Sequence, residues 1–170
     1  VEVVIAGTDS PNTPGYLKYV QEKYNTVEGL TFTGYVHEND VPKIFNEGAV
    51  VVFPYTSTTG SSGVLHQAGS YGKAVVMPNL GDLNLLVEEE GYKGEFFEPE
   101  NVNSLAQAIS NILDNDAYRK SLAINNYKAS KALCMEKITE MYVTYFKEIQ
   151  FNKKHQFNVK YERMLASFFL

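Results

Sequence analysis

The sequence predicts an α/β fold with a Rossmann-like parallel sheet flanked by helices and an all-helical C-terminal end. Strand-like and helix-like segments alternate over about the first hundred residues, which is the pattern of right-handed βαβ units. The apolar run Val1–Ala6 indicates a strand that is buried on both faces, as in parallel sheets, and the apolar run Ala49–Phe53 indicates a further strand. Further along only helical periodicity remains, and it places Ile138, Tyr145 and Ile149 on one stripe.

The predicted segments follow one another in a regular order. Strands are predicted at Val1–Ala6, Leu30–Thr33, Ala49–Phe53, Ala74–Met77 and Gly94–Phe97. Helices are predicted at Tyr16–Tyr24, from Val41 onward, and at Val64–Tyr71, Leu83–Glu89, Ser104–Leu113, from Asp116 onward and at Ile138–Ile149.

Capping residues mark two of the predicted helix starts. Asn39 or Asp40 is predicted to cap the helix that begins near Val41. The run Ser104-Leu105-Ala106-Gln107 resembles a capping box and predicts a helix start at Ser104.

Composition bounds the class of protein. The chain has 170 residues, 44% of them hydrophobic and 21% charged, which is typical of a soluble globular protein with one large domain or one domain and an appendage. A net charge of −5 argues against a nucleic-acid partner that depends on broad phosphate neutralisation. The single Cys134 excludes an intramolecular disulfide; it lies in a helical pattern, where we expect a buried and inert thiol.

The ends of the chain carry their own expectations. No run reaches the ~18 apolar residues of a membrane span, and the start at Val1 has neither an initiator Met nor the form of a signal peptide. We therefore expect a fragment excised from a longer cytoplasmic protein. The three histidines are too scattered to suggest a metal site.

The segment Pro54–Gln67 is the most informative part of the sequence. It carries seven hydroxyl-bearing side chains and two glycines between a predicted buried strand and a predicted helix. In open α/β sheets, ligands bind outside the carboxyl ends of the strands. Because a helix N-terminus there offers unpaired N–H groups and the positive end of a dipole, the segment predicts a phosphate-bearing ligand.

Six motifs in order resemble the C-terminal half of a group 1 (retaining) glycosyltransferase with the GT-B fold. The resemblance covers residues 1–150, and the segment 151–170 lies outside it. The motifs are Phe32-Thr33-Gly34-Tyr35-Val36, a strand ending at Pro54, Gly60-Ser61-Ser62-Gly63-Val64-Leu65, Gly72-Lys73-Ala74-Val75-Val76, Gly81-Asp82, and Gly94–Pro99 followed by the helix Ser104–Leu113.

The resemblance implies that residues 1–150 form a nucleotide-sugar-binding domain. No cofactor is implied for the protein itself; the bound ligand would be the donor substrate, a nucleotide-diphosphate sugar. The base would lie near Tyr35 and Val36, and Asp82 would contact the sugar unless it only caps a helix. The diphosphate and sugar would face Gly60, Ser61, Ser62, Gly63 and Val64.

The full enzyme would be a hexosyltransferase with a saccharide or lipid acceptor. The resemblance places the acceptor site in an N-terminal domain that the chain lacks. The segment 151–170 would pack on that domain or on a partner, and the full enzyme could associate peripherally with the cytoplasmic face of a membrane. Because the family's basic pair would precede Val1, the isolated chain is expected to bind nucleotide weakly and to be inactive.

Two carboxylates of the family are replaced in this sequence. Their positions fall on Thr59 and Gln67. Gln67 retains an amide that can bind ribose hydroxyls. Thr59, which would stand at the reacting centre as the catalytic residue, cannot stabilise positive charge as a carboxylate does. His66 either reaches a phosphate or hydroxyl of the donor or is a structural histidine.

Other functions stay open at this point. The replaced carboxylates favour a GT-B-like protein that binds a nucleotide sugar without transferring it. The apolar end, Tyr161–Leu170, favours a subunit that docks a partner. A dehydrogenase is less favoured, because Gly7-Thr8-Asp9-Ser10 does not match the dinucleotide fingerprint.

Overall fold

The computed structural model describes residues 1–57 and 62–155. They divide into two compact units, Val1–Glu47 and a second unit that begins at Gly48. The predicted loop residues Thr59, Gly60 and Ser61, and most of the predicted extension 151–170, lie outside the described residues.

The first unit contains two parallel strands. They pair in register from Val3 with Leu30 to Ile5 with Phe32. Its elements are strand β1 (Val3–Ala6), helix α1 (Tyr16–Lys23), strand β2 (Leu30–Gly34), a 3-10 turn (Glu38–Asp40) and helix α2 (Val41–Glu47).

The second unit contains a parallel sheet with the strand order β3-β4-β5. Three helices follow the last strand, as the sequence predicts. Its elements are β3 (Val50–Val52), α3 (Gly63–Ser70), β4 (Ala74–Pro78), α4 (Leu83–Glu89), β5 (Glu95–Phe97), α5 (Val102–Leu113), α6 (Asp116–Ala132) and α7 (Met135–Lys154).

The core of the second unit is built on its central strand. Every residue of β4 is buried, because strands lie on both sides of it and helices cover its faces. Ala74 and Val76 of β4 pack with Phe97, Ile112 and Leu122 from β5, α5 and α6. This burial of apolar side chains holds the sheet edge on which the candidate site lies.

A buried asparagine joins α6 to the two turns that precede β4 and β5. The Asn126 side chain is fully buried, and its Nδ2 donates hydrogen bonds to the carbonyl oxygens of Lys73 and Lys93 at 3.0 and 2.9 Å. Its Oδ1 accepts a hydrogen bond from the Lys93 N–H at 2.9 Å. Every polar atom of the amide is therefore paired, as burial requires.

The predicted fold class is confirmed, with parallel sheets, flanking helices and a helical C-terminal part. One expectation about burial is wrong. β1 is not buried on both faces, since Val3 and Val4 are 50% and 53% exposed. The first unit has only two strands and short helices, which supply too few apolar side chains to cover the strand.

Three local expectations are also corrected. Helix α5 begins at Val102 and not at Ser104, because the Asn101 side chain accepts from the Ser104 N–H and caps the helix. Asn39 and Asp40 lie inside the 3-10 turn that leads into α2, so neither is its cap. Cys134 is half-buried at the extended N-cap of α7, outside the helices on either side of it.

Candidate functional site

The candidate site lies at the carboxyl edge of the sheet β3-β4-β5. The three strands are parallel and in register, so their carboxyl ends meet at one edge. Helix α3 begins beyond the end of β3, and α4 begins beyond the end of β4. The structure thus confirms the strand–loop–helix order that the sequence predicted around Pro54–Gln67.

Ser62 occupies the N-cap of α3 without using its hydroxyl as a cap. Its backbone is extended, and among the described residues its side chain makes no capping hydrogen bond. The hydroxyl instead lies 3.1 Å from the hydroxyl of Tyr55, seven residues earlier in the chain. Tyr55 packs edge-on against Phe53, at a ring separation of 5.7 Å.

The first residues of α3 are open to a ligand. Gly63 and Val64 are exposed, and a Cβ added at Gly63 would meet no atom of the described residues within 4 Å. The first N–H groups of a helix have no acceptor within the helix. Within 1–57 and 62–155 no hydrogen bond reaches the N–H groups of Gly63 or Val64. Two donors and the positive end of the helix dipole thus have no partner among the described residues, which suits an anion.

His66 is engaged inside the protein. Its Nδ1 lies 3.0 Å from the Tyr92 hydroxyl, and its Nε2 lies 3.8 Å from Oε2 of Glu90. The His66 and Tyr92 rings meet edge-on at 5.5 Å. These contacts agree with the prediction that His66 is a structural histidine, which was the alternative to a contact with the donor substrate.

The Tyr92 hydroxyl keeps its proton at neutral pH. Burial, together with the neighbouring charge of Glu90, raises the pKa of Tyr92 to about 12. Tyr92 can therefore donate to an imidazole nitrogen throughout the physiological range.

The remaining predicted residues of this edge are exposed. Gln67 lies on α3 with its side chain in solvent. Asp82 occupies the N-cap position of α4, where its side chain makes no capping hydrogen bond among the described residues. Among the described residues, the Asp82 side chain therefore does not cap α4. A contact between Asp82 and the sugar stays a prediction.

A second polar cluster lies at the same edge and was not predicted. Nδ2 of Asn84 donates to Oδ1 of Asn79 at 2.5 Å, and Nδ2 of Asn79 donates to Oε1 of Glu98 at 3.2 Å. Asn79 and Glu98 directly follow β4 and β5, and a polar residue directly after a buried strand was the signal that could have found them. No comparable local signal existed for Tyr55 or Tyr92.

The two residues predicted to contact the base belong to the first unit. Tyr35 is 70% exposed, and its ring meets that of His37 edge-on at 5.0 Å. Val36 is half-buried. Gly34, just before them, has a φ of 64°, a conformation that glycine adopts without strain.

The described part of the chain holds neither a cluster of metal ligands nor a membrane-spanning helix. No group of three or more His, Cys, Asp or Glu side chains there could hold a metal ion. Within the same residues, no helix combines the length and apolar character that a membrane crossing requires.

The family is shown by a match over most of the chain. The model of the family described as "Glycosyl transferases group 1" matches residues 1–115. The chain therefore belongs to the group 1 glycosyltransferases, and the predicted resemblance is confirmed. No curated protein matches the chain in sequence.

Solved structures share the fold. Sucrose-phosphate synthase (tll1590) from Thermosynechococcus elongatus superposes with a TM-score of 0.71 at 22% identity, over 87% of this chain and 38% of its own. Anabaena Alr3699/HepE in complex with UDP-glucose gives 0.72 at 19%, over 87% and 41%. The C-terminal domain of the group 1 family protein LpcC from Francisella tularensis gives 0.62 at 19%, over 76% and 68%.

These likenesses establish the fold and its extent. The chain adopts the fold of a C-terminal domain of a GT-B glycosyltransferase, as predicted. It spans 38% and 41% of the lengths of the first two proteins.

Proposed function

We propose that this chain is the donor-binding domain of a retaining hexosyltransferase that uses a nucleotide-diphosphate sugar. The observation that carries the proposal is the N-terminus of α3 at the carboxyl edge of a parallel sheet, where Gly63 and Val64 are exposed and their N–H groups have no partner among the described residues. Membership of the glycosyltransferase family supplies the substrate class, and a diphosphate is the part of such a donor that suits this place.

The strength of this binding is expected to be modest. Interaction of an anion with a helix N-terminus is worth about 0.3–1 kcal/mol at an exposed site, and up to about 2 kcal/mol in a favourable one. That amounts to at most about 30-fold in affinity. A tighter complex needs further donors, which the family's basic pair would supply in the intact enzyme.

Several finer assignments belong to the same proposal. The acceptor is a saccharide or lipid bound in an N-terminal domain, and the isolated chain is inactive. Thr59 as the catalytic residue, with Gly60 and Ser61 at the diphosphate, remains a prediction, as do the base contacts of Tyr35 and Val36. A cytoplasmic location, with the full enzyme at a membrane face, and the docking of 151–170 remain predictions too. The chain covers 38% and 41% of two of the matched structures, which supports the need for another domain.

A second candidate function is favoured by Gln67. An exposed amide stands here where the family has a carboxylate, so the protein could bind a nucleotide sugar without transferring it. Transfer of sugar by the intact protein, abolished by Gly63→Val, would exclude this candidate. Binding without transfer by the intact protein would establish it.

The proposal is tested by calorimetric titration of the chain with UDP, GDP and ADP. We expect saturable binding of one nucleotide, weakened by Gly63→Val by up to about 30-fold, since the new side chain would cover the N–H groups and its Cβ meets none of the described residues within 4 Å. Ser70→Val, at the other end of the same exposed helix face, is the control and should bind as the wild type does. Failure of all three nucleotides to bind both the chain and the intact protein would overturn the proposal.

A further inference from the structure

Tyr92 is fixed by the end of α4. The chain turns at Gly91, whose φ of 81° is the left-handed conformation common after a helix. The Gly91 N–H donates to the Glu88 carbonyl at 2.9 Å, and the Tyr92 N–H donates to the Val87 carbonyl at 2.9 Å. These two bonds form a helix-terminating motif, so the backbone of Tyr92 cannot move independently of α4.

The ring of Tyr92 lies directly against α3. Only 1% of Tyr92 is exposed. A Cβ added at Gly69 would lie 2.6 Å from Cε1 of the Tyr92 ring, so the ring packs on the helix backbone itself. Its hydroxyl reaches His66, one turn earlier on the same helix. Tyr92 therefore contacts α3 at two successive turns.

The surroundings of His66 select one tautomer of its imidazole. If the Tyr92 hydroxyl donates to Nδ1, the proton of the neutral ring is on Nε2, where it faces Oε2 of Glu90 at 3.8 Å. That oxygen is buried and has no hydrogen-bond partner among the described residues. The opposite tautomer would turn the Nε2 lone pair toward the carboxylate, which is repulsive.

We propose that Tyr92 is a positioning residue for the donor site, which through His66 holds α3 in a fixed position relative to α4. Helix α3 carries the outward N–H groups of Gly63 and Val64, and α4 follows the loop that ends at Asp82. Tyr92 thus sets the spacing of the two segments predicted to contact the donor. The role in donor binding rests on the proposed function, whereas the control of His66 and α3 does not.

Tyr118 provides a matched control. Its hydroxyl donates to Oε1 of Glu95 at 2.7 Å, and burial raises its pKa to about 12, as for Tyr92. Tyr92→Phe and Tyr118→Phe each remove one hydroxyl bond from the second unit and leave the ring in place. Of these two hydroxyls, that of Tyr92 has its partner on α3, whereas that of Tyr118 has its partner on β5.

The test is NMR spectroscopy of the full chain and these two variants. Long-range ¹H–¹⁵N spectra report the tautomer of His66, and amide spectra report the first turn of α3. We expect the Nε2–H tautomer in the wild type and in Tyr118→Phe. In Tyr92→Phe, where only the carboxylate of Glu90 still disfavours the Nδ1–H tautomer, we expect a larger fraction of that tautomer than in the wild type, and shifted amide signals of Gly63 and Val64. An unchanged tautomer, or unchanged amide signals, in Tyr92→Phe would overturn the proposal.

Titration of the same samples with UDP, GDP and ADP separates this inference from the proposed function. We expect Tyr92→Phe to weaken binding of the preferred nucleotide about three- to tenfold relative to Tyr118→Phe. Equal affinities of the two variants would overturn the role of Tyr92 in donor binding. If the wild-type protein binds none of the three, the proposed function fails, while the tautomer and the amide signals still decide whether Tyr92 positions α3.

Discussion

The carboxylate of Asp9 closes the N-terminus of α1, where its Oδ1 accepts a hydrogen bond from the Leu17 N–H at 2.6 Å. Its Oδ2 accepts from the Gly15 N–H at 2.7 Å. Helix α1 follows β1 as a phosphate-binding helix follows the first strand of a Rossmann fold, but two of its N–H groups are taken by the chain itself. The Ser62 side chain does not close α3 in this way. The two helix starts therefore differ in their availability to an anion.

Asp9→Ala is expected to loosen α1. The change removes two charge-assisted hydrogen bonds and should cost about 1–2 kcal/mol locally. Hydrogen exchange of the amides from Leu17 to Val20 should then be about tenfold faster. Asp40→Ala, an exposed acid of the same unit, is the control, and equal exchange rates in the two variants would contradict the capping role.

Ser62→Ala is expected to cost little stability compared with Asn101→Ala. The Asn101 side chain caps α5 by accepting from the Ser104 N–H at 3.0 Å, so its loss should cost about 1 kcal/mol. Among the described residues Ser62→Ala loses the contact of the hydroxyl with Tyr55, for which we expect less than about 0.5 kcal/mol. Denaturant unfolding of both variants measures the difference, and a larger loss for Ser62→Ala would show that its hydroxyl caps α3.

Asn126→Ala is expected to be strongly destabilising. It would remove the three hydrogen bonds of a fully buried side chain to the backbone of Lys73 and Lys93, at a cost of about 3 kcal/mol. Asn125→Ala is the neighbouring control; its Nδ2 donates to the Gly91 carbonyl at 2.8 Å, and about 1 kcal/mol is expected. Similar midpoints of urea unfolding for the two variants would contradict the assignment.

Substitution by alanine should destabilise the protein at one glycine of α3, Gly69, and have almost no effect on stability at another, Gly63. Gly69→Ala would place a Cβ 2.6 Å from the Tyr92 ring and 2.9 Å from the Asn126 carbonyl oxygen, and we expect a loss of about 2 kcal/mol. The Cβ of Gly63→Ala meets no described residue within 4 Å, so the change should alter stability by less than about 0.5 kcal/mol. Thermal unfolding measures both, and a stable Gly69→Ala variant would show that α3 does not pack as closely as described.

Stability is expected to fall between pH 10 and 12 through two tyrosines. Burial raises the pKa of Tyr92 and of Tyr118 from 10.0 to about 12. The unfolded chain releases these protons first, so the stability they contribute is complete below pH 10 and is lost as the pH rises toward 12. The double variant with phenylalanine at both positions should lose stability less steeply over that range. Parallel unfolding midpoints of variant and wild type would contradict this account.

Local signals in the sequence predicted most of the elements. Helix α4 was predicted at Leu83–Glu89 and lies there, and the strand predicted at Ala74–Met77 ends one residue later, at Pro78. These segments combine a clear period with turn residues on both sides. The start of α5 was misplaced because two residues that favour N-caps, Asn101 and Ser104, lie three positions apart. Which of the two caps the helix depends on the backbone conformation just before it.

Contacts between distant residues explain what the sequence could not predict. His66 and Tyr92 are 26 residues apart, and no local pattern relates them. Ser62 looks like a capping residue, yet its hydroxyl pairs with Tyr55 across the loop. The apolar character of β1 predicted full burial, but burial depends on how many neighbouring elements its unit supplies. The position of the candidate site was predictable, whereas the residues that hold it in place were not.

The most direct test of the donor-binding account is an amide NMR titration of the chain with UDP, GDP and ADP in turn. The account predicts that one nucleotide shifts the signals of Gly63 and Val64 in a saturable way, while the signals of Gly15 and Leu17, already bonded to Asp9, stay in place. Shifts at Gly15 and Leu17 with none at Gly63 and Val64 would contradict it.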